Sequence, residues 1–453
     1  MEPEVGVTSD VKAKIAELVQ AVEVRLIADR RDFHKHAETG WTEFRTASII
    51  AERLTELGYD VRMGREVCST AERMGVPSDD VLESRWARAA AEGADPAILE
   101  RMRGGYTGVV GEWRAGDGPV VALRFDIDAL PLFESARETH RPAAEGFASI
   151  HPEACHACGH DGHAAAGLAA AEILRSIQSA LRGTVRLIFQ PAEEGVRGAR
   201  SMVAAGVVDD VDVLLGHHLV TGCAVGEIFP GMGGYAATRK FDVAFHGAPA
   251  HAGGSPEGGH NALLAAATAT LHLYALPRHR DGFTRINVGQ LSGGSGRNII
   301  PAQAHLVAEV RGETTELCET MHDRAMNVIA AAADMYGCTT TVRAMGAAGT
   351  ANSDPELADH IGTIAARELK ATCFDLHKMG GSEDFTEMML RVQGHGGVAA
   401  NIGIGADLHG VRFEDARDER ILPAHTDIYD FDERALAFAA HLLVLAVHHV
   451  TIS

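Results

Sequence analysis

The densest group of side chains that could bind a metal ion lies in the segment His156-Ala-Cys-Gly-His-Asp-Gly-His163. Cys158 and His160 are separated by one glycine, which allows a backbone turn that would bring the thiolate and the imidazole to the same ion. Sulfur and imidazole nitrogen suit zinc or a similar transition metal. A polar loop in which Asp161 caps the following helix is the alternative interpretation, and the spacing alone leaves both open.

Two adjacent carboxylates, Glu193 and Glu194, follow a predicted buried strand at 184–189. Ligands of open α/β sheets collect at the carboxyl ends of the strands. Because successive residues of an extended segment point in opposite directions, one carboxylate could bind a metal ion while the other faces the substrate and transfers protons. The alternative for such a pair is a solvated acidic turn.

Histidines at two further positions could complete such a site. His217 and His218 follow a predicted strand at 211–215, and His425 precedes a helix near the C-terminus. Adjacent histidines after a strand cannot both face the core, so one of them is free to reach the same edge as Glu194. Each histidine alone is weak evidence. A cysteine, a glutamate and three histidines at the ends of separate elements together favour a metal site.

Two glycine-rich turns carry polar side chains and lie outside this group. The first contains His251 (residues 247–254) and the second contains Asn298 (residues 293–298). Neither has the Gly-x-x-x-x-Gly-Lys-Ser/Thr order that cradles a nucleotide phosphate. The sequence therefore argues against nucleotide binding and leaves plain hairpin turns as the simplest interpretation.

The elements that must position these residues alternate between strands and helices. Apolar runs at 107–113, 119–125, 184–189 and 211–215 predict strands, and the Ala-rich run 162–181 predicts a helix. This alternation is typical of an α/β fold in which a mostly parallel sheet is covered on both faces. A polar stretch at 66–104 predicts a helical insertion.

The pattern changes between 234 and 345 and then returns. Strand, helix, strand, strand, helix and strand follow one another there, the βαββαβ order of a ferredoxin-like α+β module. We therefore predict a discontinuous catalytic domain, residues 1–233 and 346–453, split around an inserted domain, residues 234–345.

Composition narrows the class of protein. The chain has 453 residues, 46% of them hydrophobic, and its 41 Lys+Arg against 62 Asp+Glu give a net charge of −21. This charge opposes binding to nucleic acid or to anionic lipid. The seven cysteines are scattered, which fits reduced thiols. The N-terminus is acidic and lacks a signal-like pattern, and we expect no apolar run to reach the length of about 18 residues that spans a membrane. These features predict a cytoplasmic protein that does not bind membranes.

Several segments resemble, in order, the amidohydrolase branch of the aminoacylase and carboxypeptidase superfamily of dinuclear metallopeptidases. Asn298 with Pro301 belongs to this set. The other matching segments span nearly the whole chain: Arg31–His34, Glu43–Thr46, Asp126–Pro131, His156–His163, Pro191–Glu194 and Gly380–Asp384.

The resemblance implies roles for particular residues. Two divalent ions, Mn²⁺ or Zn²⁺, would be held by Cys158, His160, Glu194, His218 and His425. Glu193 would be the general base for a metal-activated water. His251 would bind the oxyanion of the reaction in the active site of a neighbouring protomer, and Asn298 and Arg311 would bind a substrate carboxylate. The inserted domain would serve as a lid and dimerisation domain in a homodimer or higher homo-oligomer, and the resemblance leaves a second, different subunit open.

The reaction implied is hydrolysis of the amide bond of an N-acyl or N-aroyl amino acid, with p-aminobenzoyl-glutamate as the model substrate. One alternative is a related hydrolase that acts on another C–N bond, in an indole-acetyl conjugate or in the deamination of an arylamine acid. Another is a non-catalytic subunit. The polar segment 407–422 departs from the family pattern where a leaving group would be recognised, so it leaves the substrate open.

Overall fold

The computed structural model describes residues 9–375, 381–415 and 417–452, so Gly380 of the predicted motif lies outside the described residues. Strands and helices alternate through most of the chain. The strands are β1 (Asp60–Met63), β2 (Val109–Arg114), β3 (Val120–Asp126), β4 (Thr184–Gln190), β5 (Val213–Val220), β6 (Glu227–Met232), β7 (Ala237–His246), β8 (Thr284–Gly293), β9 (Gln303–Gly312), β10 (Thr339–Ala348), β11 (Thr372–Cys373) and β12 (Val398–Gly405).

The helices flank these strands and vary widely in length. They are α1 (Ser9–Lys35), α2 (Phe44–Glu56), α3 (Asp79–Ala91), α4 (Pro96–Arg101), α5 (Arg141–Ala144), α6 (His160–Ser176), α7 (Ala199–Ala204), α8 (Ala262–Tyr274), α9 (Thr315–Met335), α10 (Pro355–Glu368), α11 (Phe385–Gly394) and α12 (Arg434–Ile452). The predicted insertion at 66–104 holds α3 and α4, and it touches the smaller domain where Arg343 donates to the Val76 carbonyl at 2.6 Å.

The larger sheet has the strand order β1-β2-β4-β3-β5-β12-β6-β11. Its centre is parallel, because β3 pairs in parallel with β4 and β5, and β5 with β12. Strands β1, β2 and β6 form antiparallel pairs, although the edge strand β11 pairs in parallel with β6, so the sheet is mixed rather than mostly parallel throughout. The short connection 221–226 between β5 and β6 cannot hold a crossover helix, which explains the reversal at β6.

Helices cover both faces of this sheet. α1, α6 and α12 pack together on one face, and α7 and α11 on the other. Over an 18-residue window α12 is apolar enough to cross a membrane, with a mean hydropathy of 1.9, which corrects the expectation that no apolar run reaches this length. However, 67% of that window is buried inside the protein. Packing in the core accounts for its apolar character.

The smaller domain contains one antiparallel sheet, with the order β10-β7-β9-β8. Helices α8 and α9 pack on one face of it and enclose a separate apolar core that includes Phe241, Phe245 and Ile329. The elements follow one another in the βαββαβ order. The predicted boundary at 345–346 falls inside β10, whose pairing with β7 continues to Ala348 through a bulge at 344–346.

Candidate active site

The start of helix α6 presents the first two predicted ligands. Gly159 precedes the helix with φ of 89°, a backbone conformation that favours glycine. A Cβ atom at this position would lie 2.9 Å from the Tyr429 hydroxyl. Cys158 and His160 therefore flank a turn that a larger residue would strain.

Backbone carbonyls orient two of the predicted ligand histidines, His160 and His218. His160 Nδ1 donates to the Asp128 carbonyl at 2.8 Å, and His218 Nδ1 donates to the Leu219 carbonyl at 2.7 Å. This use of Nδ1 leaves each Nε2 available to a metal ion. His160 Nε2 is buried and has no hydrogen-bond partner in the described part of the chain, and His218 Nε2 lies 3.5 Å from Cys158 Sγ. His217 lies on the other side of β5, against Phe125 and His163.

The turn that carries Glu193 and Glu194 follows β4. The two carboxylate oxygens of Asp128 accept from the backbone N–H groups of Glu193 at 2.9 Å and of Glu194 at 3.0 Å. Ala192 adopts a positive φ of 53°, and its N–H donates to Glu43 Oε1 at 2.8 Å. Buried carboxylates thus hold the turn from beneath, and the two glutamate side chains are free to face the site.

His425 reaches the site from the segment before α12. Its N–H donates to the Ala157 carbonyl at 2.8 Å, and its Nε2 lies 3.6 Å from Glu194 Oε1. Its backbone has a positive φ of 64°, which is uncommon outside glycine and is often found where function requires it. The structure therefore brings all five predicted ligands together.

The donor atoms of these residues fit metal ions. Cys158, His160 and His218 form one group whose ligand atoms all lie within 4.8 Å of one another, and Cys158, Glu194 and His425 form another. Cys158 belongs to both groups. His160 Nε2 and Glu194 Oε1 are buried and have no hydrogen-bond partner among the described residues. Unpartnered buried donors and acceptors are costly unless a ligand satisfies them.

Several carboxylates lie close together in this site, and the pKa values of Glu193 and Glu194 are raised. Burial and the neighbouring Glu383 and Glu194 raise the pKa of Glu193 well above its usual range. Burial raises the pKa of Glu194 to about 7, with Asp128 adding to the effect although His160 opposes it. Like charges this close disfavour ionisation, and divalent cations would reverse that effect.

Several buried residues that support the site carry no role in the sequence interpretation. His163 Nδ1 lies 2.5 Å from Asp126 Oδ1, and its Nε2 accepts from the Leu219 N–H. Arg124 forms a 2.6 Å ion pair with Asp126 and pairs with Glu383 and Asp384. In the sequence, Asp126 and Asp128 stand in the family-like segment 126–131, which gave neither residue a role of its own.

A cavity of about 320 Å³ opens over the ligand group, between the two domains. Arg311, predicted to bind substrate, lies in its wall together with Lys240, which the sequence interpretation missed. The lining residues are Cys158, Glu193, Glu194, Gly195, Val196, His218, Met232, Tyr235, Lys240, Arg311, Gly381, Ser382, Glu383 and His425.

His251 and Asn298 lie together on the smaller domain, outside the residues that line this cavity. The Ala252 N–H donates to the Asn298 carbonyl at 3.0 Å, and His251 pairs with Ile299 in an isolated bridge. His251 is exposed, and its Nδ1 accepts from the Gly254 N–H at 2.9 Å. Within one chain the structure does not bring these two residues to the predicted metal ligands.

The divergent segment 407–422 packs elsewhere. Arg412 Nε donates to Glu227 at 2.8 Å, and the Phe413 ring packs against Phe229 at 4.9 Å. None of its described residues lines the cavity. The expectation that this segment lies where the leaving group is recognised is therefore not met within one chain.

The fold and the site define a two-domain α/β hydrolase whose reactive groups lie at the mouth of the cavity between the domains. Comparison with known proteins agrees: the model of Peptidase family M20/M25/M40 matches residues 122–430, and the chain belongs to this family. It is a metal-dependent amidohydrolase, which confirms the predicted family and enzyme class.

Three relatives illustrate the similarity. The chain is 44% identical to one component of the p-aminobenzoyl-glutamate hydrolase of Escherichia coli, over 94% of this chain and 96% of the relative. It is also 44% identical to the indole-3-acetyl-aspartic acid hydrolase of Enterobacter agglomerans, over 92% and 93%. The crystal structure of an aminobenzoyl-glutamate utilization protein from Klebsiella pneumoniae is 38% identical, with a TM-score of 0.80 over 95% of this chain and 97% of that one.

Proposed function

We propose that the protein hydrolyses the amide bond of an N-acyl or N-aroyl amino acid, with p-aminobenzoyl-glutamate as the nearest model substrate. The observation that carries the proposal is the placement of Glu193 beside the ligand group, in the same cavity as the cationic Arg311. The names of the two relatives at 44% identity, for amides of glutamate and of aspartic acid, support it. An indole-acetyl conjugate is the second candidate substrate on the same ground.

Cys158, His160, Glu194, His218 and His425 are the proposed ligands of two divalent ions, with Mn²⁺ and Zn²⁺ as the candidates. The thiolate of Cys158 belongs to both groups of ligand atoms, and it would help to hold the ions together with the imidazole and carboxylate ligands. Bound divalent ions supply Lewis-acid chemistry, which polarises a carbonyl and makes water more acidic.

Glu193 is the proposed general base. Its carboxylate lies 3.9 Å from His160 Nε2, at the ligand group but with its own backbone held by Asp128. It would accept a proton from the attacking water and pass it to the departing nitrogen, as a carboxylate positioned beside the reacting groups can do. Arg311 would bind a carboxylate of the amino acid and so orient the amide.

We further propose that the smaller domain is a ferredoxin-like lid and dimerisation domain. Strand β8 lies at the edge of its sheet, and α8 exposes Leu264 and Leu271. Exposed apolar side chains next to an open strand edge favour association with a second copy. Such a dimer would allow His251 and Asn298 to act in the cavity of the other copy.

The cellular location and a second subunit are also part of the proposal. All seven cysteines are free thiols, which supports a cytoplasmic location. The name of the Escherichia coli relative describes one component of a multi-subunit enzyme, which supports the possibility of a second, different subunit.

Adjacent substitutions test the division of labour between the two glutamates. Glu193→Gln should lower kcat by about 10²- to 10⁴-fold, the usual contribution of a general base, while two metal ions stay bound. Glu194→Gln should lose metal as well as activity. Metal content by mass spectrometry and steady-state kinetics would separate these outcomes, and near-normal activity of Glu193→Gln would contradict the mechanism.

A further inference from the structure

Lys240 is a cation in the active-site cavity whose ammonium group has no hydrogen-bond partner among the described residues. It is half-buried in the cavity wall, on strand β7. Its ammonium group makes no hydrogen bond or ion pair with any residue in the described part of the chain. Glu309, which is already hydrogen-bonded to Arg311, acts most strongly on its charge, and Glu193 and Glu194 are also close enough to act on it. A lysine ammonium has three donors, and a cavity that leaves all three unused is suited to an anionic ligand.

Strand register explains why Lys240 faces the cavity. In the pairing of β7 with β9, Lys240 lies opposite Glu309, and Thr238 lies opposite Arg311. Alternate residues of a strand share a face, so Lys240, Glu309 and Arg311 lie on the same side of the sheet. The residues between them, such as Phe241 and Val310, point into the apolar core under α8 and α9.

On this face of the smaller sheet, the two cations are not paired equally with the one carboxylate. Arg311 Nε and Nη2 donate to the carboxylate of Glu309 at 3.0 and 3.3 Å, so half of the guanidinium fork is already occupied. Lys240 has no such pair. The three side chains together carry one positive charge in excess, next to a group of acidic residues whose own charge would be neutralised by the proposed metal ions.

We propose that Lys240 binds the side-chain carboxylate of the substrate's amino acid and thereby selects amides of acidic amino acids over those of neutral ones. This inference rests on the proposed function and deepens it. Arg311 would bind the other carboxylate, so the two cations would read a dicarboxylate. Glutamate and aspartic acid, in the names of the two relatives at 44% identity, share this chemistry.

A competing role for Lys240 is to offset the charge of Glu193 and Glu194 without touching the substrate. Such a role would make its removal equally harmful for every substrate and would change metal binding. A recognition role instead predicts a loss that depends on the charge of the substrate side chain. The two roles therefore differ in a measurable ratio.

The test compares N-(4-aminobenzoyl)-glutamate with N-(4-aminobenzoyl)-glutamine, which has nearly the same shape and a neutral side chain. Lys240→Met should reduce the glutamate-over-glutamine ratio of kcat/KM by about 10- to 100-fold, the range expected for one charge-assisted hydrogen bond. Lys240→Arg should keep most of the ratio. Arg239→Met is the matched control, because Arg239 precedes Lys240 but pairs with Glu319 instead.

An unchanged ratio in Lys240→Met, or an equal loss for both substrates with reduced metal content, would overturn the inference. Failure of the proposed function has a different signature, because the wild-type protein would then hydrolyse neither compound. In that case calorimetry with free glutamate and glutamine decides: tighter binding of glutamate that Lys240→Met abolishes supports the inference, and equal binding of the two refutes it.

Discussion

Hydrogen bonds behind the proposed ligands decide which atoms face the site. Backbone carbonyls hold Nδ1 of His160 and His218, and each Nε2 is therefore presented at the cavity. Asp128 has a similar function for the glutamates, because its two oxygens hold the N–H groups of Glu193 and Glu194. Such supporting contacts commonly affect metal affinity almost as strongly as the ligands themselves.

Substitution of Asp128 by Asn tests this support. The amide has one accepting oxygen, so its NH₂ group would face one of the two buried N–H donors. We expect the free energy of unfolding to fall by about 1–3 kcal/mol, the cost of a buried unsatisfied donor, and metal to bind more weakly. Urea denaturation and metal titration measure both effects.

Asp117→Asn is the control for that experiment, since Asp117 is fully exposed and pairs only with Arg114 at the surface. A change there should stay within about 0.5 kcal/mol. If Asp128→Asn were as stable as this control and bound metal normally, Asp128 would not be the support that its hydrogen bonds indicate.

At this scale the sequence predicted the residues whose chemical type is distinctive. Cys158, Glu194 and the histidines stand at strand and helix ends, where ligands are expected. Lys240 and Asp128 were missed, because a lysine in a strand and an aspartate after one are common and acquire their roles only from what the fold places opposite them. Strand alternation placed Lys240 on one face, but it did not show that the face lines a cavity.

Among the elements, a buried ionic network joins α1, α6 and the segment that leads from His425 to α12. Arg30, on α1, pairs with Asp161 at 2.8 Å and with Asp430 at 3.0 Å. His34, one turn later, lies 2.8 Å from both Asp161 and Glu134. The network thus ties the start of α6, which carries His160, to the segment that carries His425.

This network should make stability depend on acid. Burial opposes the ionisation of Glu134, but hydrogen bonds from His140 and His34 prevail and lower its pKa from 4.5 to about 2. A carboxylate with a depressed pKa in the folded state stabilises the protein above its unfolded pKa, and this contribution is lost as pH falls. The difference in unfolding free energy between wild type and Glu134→Gln should therefore shrink as pH falls from about 4.5 toward 2.

Urea denaturation at pH 6, 4 and 3 would measure that difference. Glu257→Gln, at an exposed position of the smaller domain, serves as the control and should differ little from wild type throughout. A Glu134→Gln difference that stayed constant over this range would show that Glu134 does not titrate as the network requires.

The sequence predicted most elements but fewer of their pairings. Apolar periodicity placed β3, β4, β5 and α6 close to their observed positions. The antiparallel β6 was not foreseen, because short connections and partner choice determine strand direction and neither appears in local periodicity. The predicted boundary at 345–346 falls within β10, because that strand continues through a bulge that no composition change marks.

At the scale of the whole molecule, the separation of His251 and Asn298 from the cavity is the feature that calls for a second copy. One chain brings together the proposed metal ligands, Glu193 and Arg311, yet leaves these two family-predicted residues outside the cavity lining. The exposed apolar face of α8 and the edge strand β8 lie on the same domain as both. A dimer through this surface would reconcile the predicted roles with the observed positions.

Leu271→Glu tests the dimer, because Leu271 on α8 is 74% exposed and a charge there would disrupt an apolar interface. We expect a monomer by sedimentation, with kcat lowered by about 10²- to 10³-fold, the usual cost of losing one oxyanion donor. Val24→Glu, at an 83% exposed position on α1, should change neither property. A fully active Leu271→Glu monomer would contradict a role for His251 across the interface.

Above all, we propose that this site hydrolyses an amide bond and releases an amino acid. Incubation of the manganese-loaded protein with p-aminobenzoyl-glutamate, followed by quantification of p-aminobenzoate, glutamate and ammonia, tests it most directly. We expect equal amounts of p-aminobenzoate and glutamate, without ammonia. Release of ammonia with no free glutamate would contradict it and would indicate hydrolysis of a different C–N bond.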